Sequence, residues 1–127
     1  MSHKSWFRIA SALAGISVIM LAMAAHWLEN HLSPEKIKSL ETGAELQFMH
    51  AIAILVLSNV KTDEITRQRN RNLWIMLCGI SLFSGSIYLL SLRNLINFEA
   101  ASLLWPVTPL GGLMLIASWF LLVFEKK

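Results

Sequence analysis

The sequence predicts an all-α integral membrane protein: a four-helix bundle with a short amphipathic helix in its first connector. Three observations carry this. The 127 residues are 55% hydrophobic and 15% charged, with a mean hydropathy of +0.55, whereas soluble domains run nearer to about 25% charged. The apolar residues come in long blocks, as they do where the solvent is hydrocarbon. The charges collect in the connectors between those blocks. At this length the blocks form one membrane domain.

The first span covers residues 9–25, which carry no charge and follow Lys4 and Arg8, with Trp6 as an interfacial anchor. A basic start, an apolar run and Ala22-Met23-Ala24 also fit a cleaved secretory signal. Against cleavage, Ser11, Ala14, Gly15, Val18, Ala22 and Ala25 lie close to one helical face. Small residues so placed let a neighbouring helix approach, which favours a retained packing helix. In the first connector Ser33-Pro34-Glu35 reads as a capping residue, a first-turn proline and an acidic first turn. Ile37, Leu40 and Ala44 then share a face, predicting a short amphipathic helix along the membrane surface. The alternative is that this helix runs straight into the second span, with Gly43 as a weak point.

The second span, residues 43–60, is the least hydrophobic and crosses only if Gln47 and His50 face protein. The third, 73–92, is uncharged, with Arg93 able to snorkel at its end. The fourth, 105–124, opens on Trp105-Pro106, a start that suits a first helical turn. Gly111-Gly112 makes that end pliable. The single cysteine, Cys78, excludes a disulfide framework within the chain and reads as a small packing residue.

The net charge of +3 and pI near 9.4 do not argue for nucleic acid, because the cations flank the spans. Eight of the 11 basic residues, Lys4, Arg8, Lys61, Arg67, Arg69, Arg71, Lys126 and Lys127, fall on one side of a four-span topology. Lys36, Lys38 and Arg93 fall on the other. Basic residues concentrate on the cytoplasmic side, so both termini are expected there.

Residues 42–50 carry most of the chemistry. Gln47 and His50 share a stripe with Gly43 and Ile54, while Glu45 projects to another side. The topology puts His26, Glu45 and Gln47 at the non-cytoplasmic entrance of the bundle, with His50 deeper. Tyr88 lies in the same half, and Thr108 completes a candidate polar core of Gln47, His50, Tyr88 and Thr108. Ser81, Ser84, Gly85, Tyr88 and Ser91 mark one face of the third helix. Thr108, Gly111, Leu115 and Ser118 mark one face of the fourth.

Intramembrane ionisable groups suggest a site, here a metal, a haem iron between His26 and His50, or a carried proton. Polar side chains also cross-link membrane helices, and that structural reading is favoured. The histidine spacing matches no ligand motif, so no metal or cofactor is expected. No hydrolase elbow, phosphate loop or dinucleotide fingerprint is present, and the chain is not expected to be an enzyme. Its expected partners are the lipid bilayer and, left open, a second copy or a larger membrane complex.

Four pieces of sequence resemble a family of small bacterial inner-membrane proteins of unknown function typified by YgdD and YwdK. They are Ala25-His26, Thr42-Gly43-x-Glu45-x-Gln47-x-x-His50, Phe83-Ser84-Gly85-Ser86-Ile87-Tyr88, and Val107-Thr108-Pro109-Leu110-Gly111-Gly112. The chain departs from the family pattern at Leu46, where an aromatic is usual, and at Met23, Ala24 and near Ser118, where glycines are. The resemblance implies a four-helix protein of the bacterial inner membrane. It supplies no activity, substrate or catalytic residue.

Overall fold

The computed structural model describes residues 1–60 and 65–125. Lys61, Lys126 and Lys127, used above for orientation, lie outside the described residues. The main helices are α1 (His3–Ala25), α2 (Pro34–Ser58), α3 (Arg67–Leu92) and α4 (Val107–Val123). One-turn and two-turn 3₁₀ segments, Leu28–Asn30 and Glu99–Leu104, sit in the first and third connectors.

Each of the first three helices opens on a hydroxyl that accepts an otherwise orphaned backbone N–H: Ser2 from Ser5, Ser33 from Lys36 and Thr66 from Arg69. Pro106 precedes α4, and Pro109 falls in its first turn, where no N–H donor is needed.

Four expectations need correction. The amphipathic stretch after Ser33 is not a separate surface helix but the first half of α2. Leu40, Ala44, Gln47, Ala51, Ile54 and Ser58 are buried at alternating four- and three-residue steps, so one seam runs through the supposed break. Gly43 lies within that seam, where its own cost of about 1 kcal/mol is outweighed by continuous packing. The small-residue face of α1 faces outward. Its buried positions are Trp6, Ala10, Ser17 and Ala24 instead. Trp6 is no interfacial anchor: it is fully buried, with its indole N–H donating to Asn70 Oδ1 at 2.9 Å. Cys78, expected to pack, is exposed on α3.

Among the described residues the packed pairs are α1 with α2, α2 with α3, and α3 with α4. One end of the bundle, here the lower end, gathers the start of α1, the end of α2, the start of α3 and the end of α4. His3 meets the Ser58 carbonyl there, and Gln68 Nε2 donates to the Phe124 carbonyl. The apolar core of Trp6, Ala10, Ile54, Leu73, Met76, Ile80 and Leu115 fills the lower half. The upper half is closed by small residues and hydroxyls. A Cβ on Gly111 would overlap the Phe83 backbone nitrogen and stand 2.9 Å from the Gly79 carbonyl. α3 and α4 therefore touch backbone to backbone. Gly43 instead makes room for α3 side chains, since its Cβ would stand 3.1 Å from Ile87 Cγ2, and Ser84 Oγ donates to the Gly43 carbonyl at 2.7 Å.

Candidate functional site

α2 begins at Pro34, so the polar residues once placed at its mouth lie halfway along it. Gln47 is about 20 Å from the start of the helix at 1.5 Å per residue. Its amide joins three helices. Nε2 donates to the Leu13 carbonyl of α1 at 2.8 Å, and Oε1 accepts from the Tyr88 hydroxyl of α3 at 2.9 Å. The Leu13 carbonyl also accepts from Ser17 Oγ at 2.9 Å, so the amide docks onto a hydrogen-bonded cluster.

One turn further on, His50 is buried and ties α2 to α4. Its Nδ1 lies 2.7 Å from the Leu46 carbonyl, and its Nε2 lies 3.0 Å from Trp119 Nε1. An indole nitrogen only donates and a carbonyl only accepts, which assigns the proton to Nδ1 and the lone pair to Trp119. The imidazole is thus neutral in this arrangement, with neither nitrogen free. Trp119 was missed at the sequence level, because a tryptophan in an apolar block carries no mark of what its N–H meets.

Thr108 is not joined to Gln47 or His50. Its hydroxyl pairs with Ser86 Oγ at 2.6 Å, closing α4 onto α3 nearer the upper end. Ser86 was not singled out from sequence. Of the expected face of α3, Ser84 and Ser91 are buried, while Ser81 is exposed and bonds back to the Leu77 carbonyl. On α4, Gly111, Leu115 and Ser118 are buried together.

His26 and Glu45 stand apart from these pairs. Both are exposed. With Leu13 level with Gln47, His26 and His50 are separated by about 24 Å along the bundle, far beyond the reach of one iron. Among the described residues no three His, Cys, Asp or Glu side chains gather as a metal set. Glu45 follows Lys38 and Thr42 on an exposed stripe of α2, about halfway along the helix. The arrangement supplies three interhelical polar clasps and one outward carboxylate. It presents no nucleophile and base in contact.

A family model described as "Protein of unknown function (DUF423)" matches residues 20–112. The chain is 34% identical to a UPF0382 membrane protein of Haemophilus influenzae, over 95% of the chain and 93% of that relative. It is 32% identical to the UPF0382 membrane protein YwdK of Bacillus subtilis, over 92% of each. It is also 32% identical to the UPF0382 inner membrane protein YgdD of Escherichia coli, over 91% of the chain and 84% of YgdD. No solved structure matches the chain. Among the described residues three helices are long and apolar enough to cross a membrane, and α4 is a shorter apolar helix. With similarity running through nearly all of that helical framework, the chain belongs to the UPF0382/DUF423 family of multi-pass membrane proteins of unknown function.

Proposed function

We propose that the chain is a non-enzymatic structural or accessory protein of the bacterial inner membrane, crossing four times with both termini in the cytoplasm and binding lipid or partner proteins. One observation carries the non-enzymatic part. The buried Gln47 and His50 and the half-buried Tyr88 and Thr108 are each engaged by a neighbouring helix. Groups spent on holding helices together are not free to act on a substrate.

The fourth crossing is supported by the antiparallel course of α4 along α3. Thr108 meets Ser86 near one end and Phe124 meets Gln68 near the other. α4 alone covers about 25 Å, short of a hydrocarbon core of about 30 Å. The apolar residues Leu103, Leu104, Trp105 and Phe124 flank it and lengthen its apolar reach. The excess of lysine and arginine at the lower end supports cytoplasmic termini. The inner-membrane placement is supported by the description of YgdD.

Gentle extraction followed by mass spectrometry tests the accessory role. A reproducible protein or lipid companion is expected. A chain that always emerges alone and free of lipid would overturn it.

A second reading, a small proton-coupled transporter, is supported by Glu45. Its exposed carboxylate lies about 17 Å from the start of α2, much deeper than the helix mouth. Ionisable residues at that depth are functional candidates. Proteoliposomes with a pH gradient decide between the two. Uptake that Glu45→Gln abolishes would establish the carrier, and absence of gradient-driven uptake leaves the structural reading standing.

A further inference from the structure

Lys36, Lys38 and Arg93, the lysines and arginine of the upper end, all line one cavity of about 650 Å³. It lies between the first half of α2 and the end of α3, with Thr108 of α4 also on its wall. Glu35 is the one carboxylate in that lining, and Ile87 and Leu90 supply apolar surface. Arg93 Nε is buried without a hydrogen-bond partner. The ion pair found among the described residues, Arg69 with Glu125, is at the opposite end.

The positive-inside bias accounts for the arginines of the lower end. It disfavours cations here, so three converging on one cavity need another reason. α2 is about 37 Å long, and a hydrocarbon core is about 30 Å, so the first turns of α2 rise to the depth of lipid headgroups. Cations at that depth, next to apolar wall, fit an amphiphile with a negative head and a hydrocarbon body. The planar guanidinium of Arg93 on this wall suits phosphate, whose oxygens accept forked N–H bonds.

We propose that this cavity binds the phosphate headgroup of one anionic phospholipid from the surrounding leaflet, with its glycerol and upper chain against Ile87 and Leu90. The inference rests on the membrane-crossing reading and names the lipid that reading left open.

Native mass spectrometry of the detergent-purified chain tests it, with phosphatidylglycerol, phosphatidylethanolamine and inorganic phosphate as separate probes. One phosphatidylglycerol per chain is expected to be retained in preference to phosphatidylethanolamine. Arg93→Gln and Lys38→Gln should each weaken retention about fivefold. Arg71→Gln, at the other end, should leave it unchanged. Equal retention of both lipids, indifference to both cavity variants, or displacement by millimolar inorganic phosphate would each overturn the proposal. Circular dichroism and thermal midpoints of the same samples monitor the fold, and Lys38, being exposed, can be changed without disturbing the packing. A variant that keeps its fold and inserts into vesicles, yet shows no lipid preference, defeats the lipid site while sparing the bundle. Failure to insert would defeat the bundle reading itself.

Discussion

Gln47 joins three helices by itself, since one amide reaches both α1 and α3. Measured interhelical hydrogen bonds in membranes average about 0.6 kcal/mol and reach about 1.7 kcal/mol. Tyr88→Phe should therefore lower stability within that range, and Gln47→Leu, which removes two bonds, should lower it more. In a Gln47→Leu background Tyr88→Phe should be close to neutral, a coupling that a double-mutant cycle in denaturant would read directly. Trp119→Phe should cost about 1–3 kcal/mol, because it leaves the buried His50 Nε2 unpaired. If thermal melts show Trp119→Phe to be silent, the clasp between α2 and α4 carries no weight. That Gln47, His50 and Tyr88 need partners was legible from their places in apolar blocks. Which partner each takes was not, because every residue carries a carbonyl like that of Leu13 and five tryptophans offer an indole like that of Trp119. Packing alone selects one.

Helices α3 and α4 depend on glycine at one crossing and not at others. Gly111→Ala forces a methyl into the Phe83 backbone and should destabilise by about 1–3 kcal/mol or more, as overpacking does. Gly85→Ala and Gly15→Ala meet open space and should be neutral or slightly stabilising, through helix propensity worth up to about 1 kcal/mol. A unfolding titration of the three variants should separate the first from the other two. Equal effects would mean that the contact of α3 with α4 is not close. The four apolar blocks and the cap at Ser33 could be located from sequence, because capping chemistry and charge-free length are local properties. The inward faces could not. Lipid chains are as apolar as a protein core, so a membrane helix lacks the polar outer face that orients a soluble one. For that reason the small residues of α1 were assigned inward and Cys78 was assigned to packing, and both are exposed. The continuity of α2 was hidden for a different reason. Its first half is polar on the outside, and only contact with α3 at Gly43 shows that the helix belongs to the bundle throughout.

For the molecule as a whole, the topology can be checked by cysteine accessibility in a Cys78→Ala background. Ser33→Cys, in the first connector, should react with a membrane-impermeant maleimide in intact cells, whereas Thr66→Cys should react only after permeabilisation. The reverse pattern would invert the bundle, and labelling of both sites from outside would remove a crossing. A membrane protein of four apolar blocks, with charge gathered toward one side, was decided by composition and order along the chain, because hydrophobic length and charge bias need no partner to act. Depth and pairing were decided by the fold. Gly43 and Gly111 set how closely α2, α3 and α4 meet, and that closeness carries Gln47 to mid-bundle, turns Trp119 onto His50 and leaves Glu45 outside. Those outcomes depend on distances between residues dozens of positions apart, which no local pattern in an apolar sequence encodes.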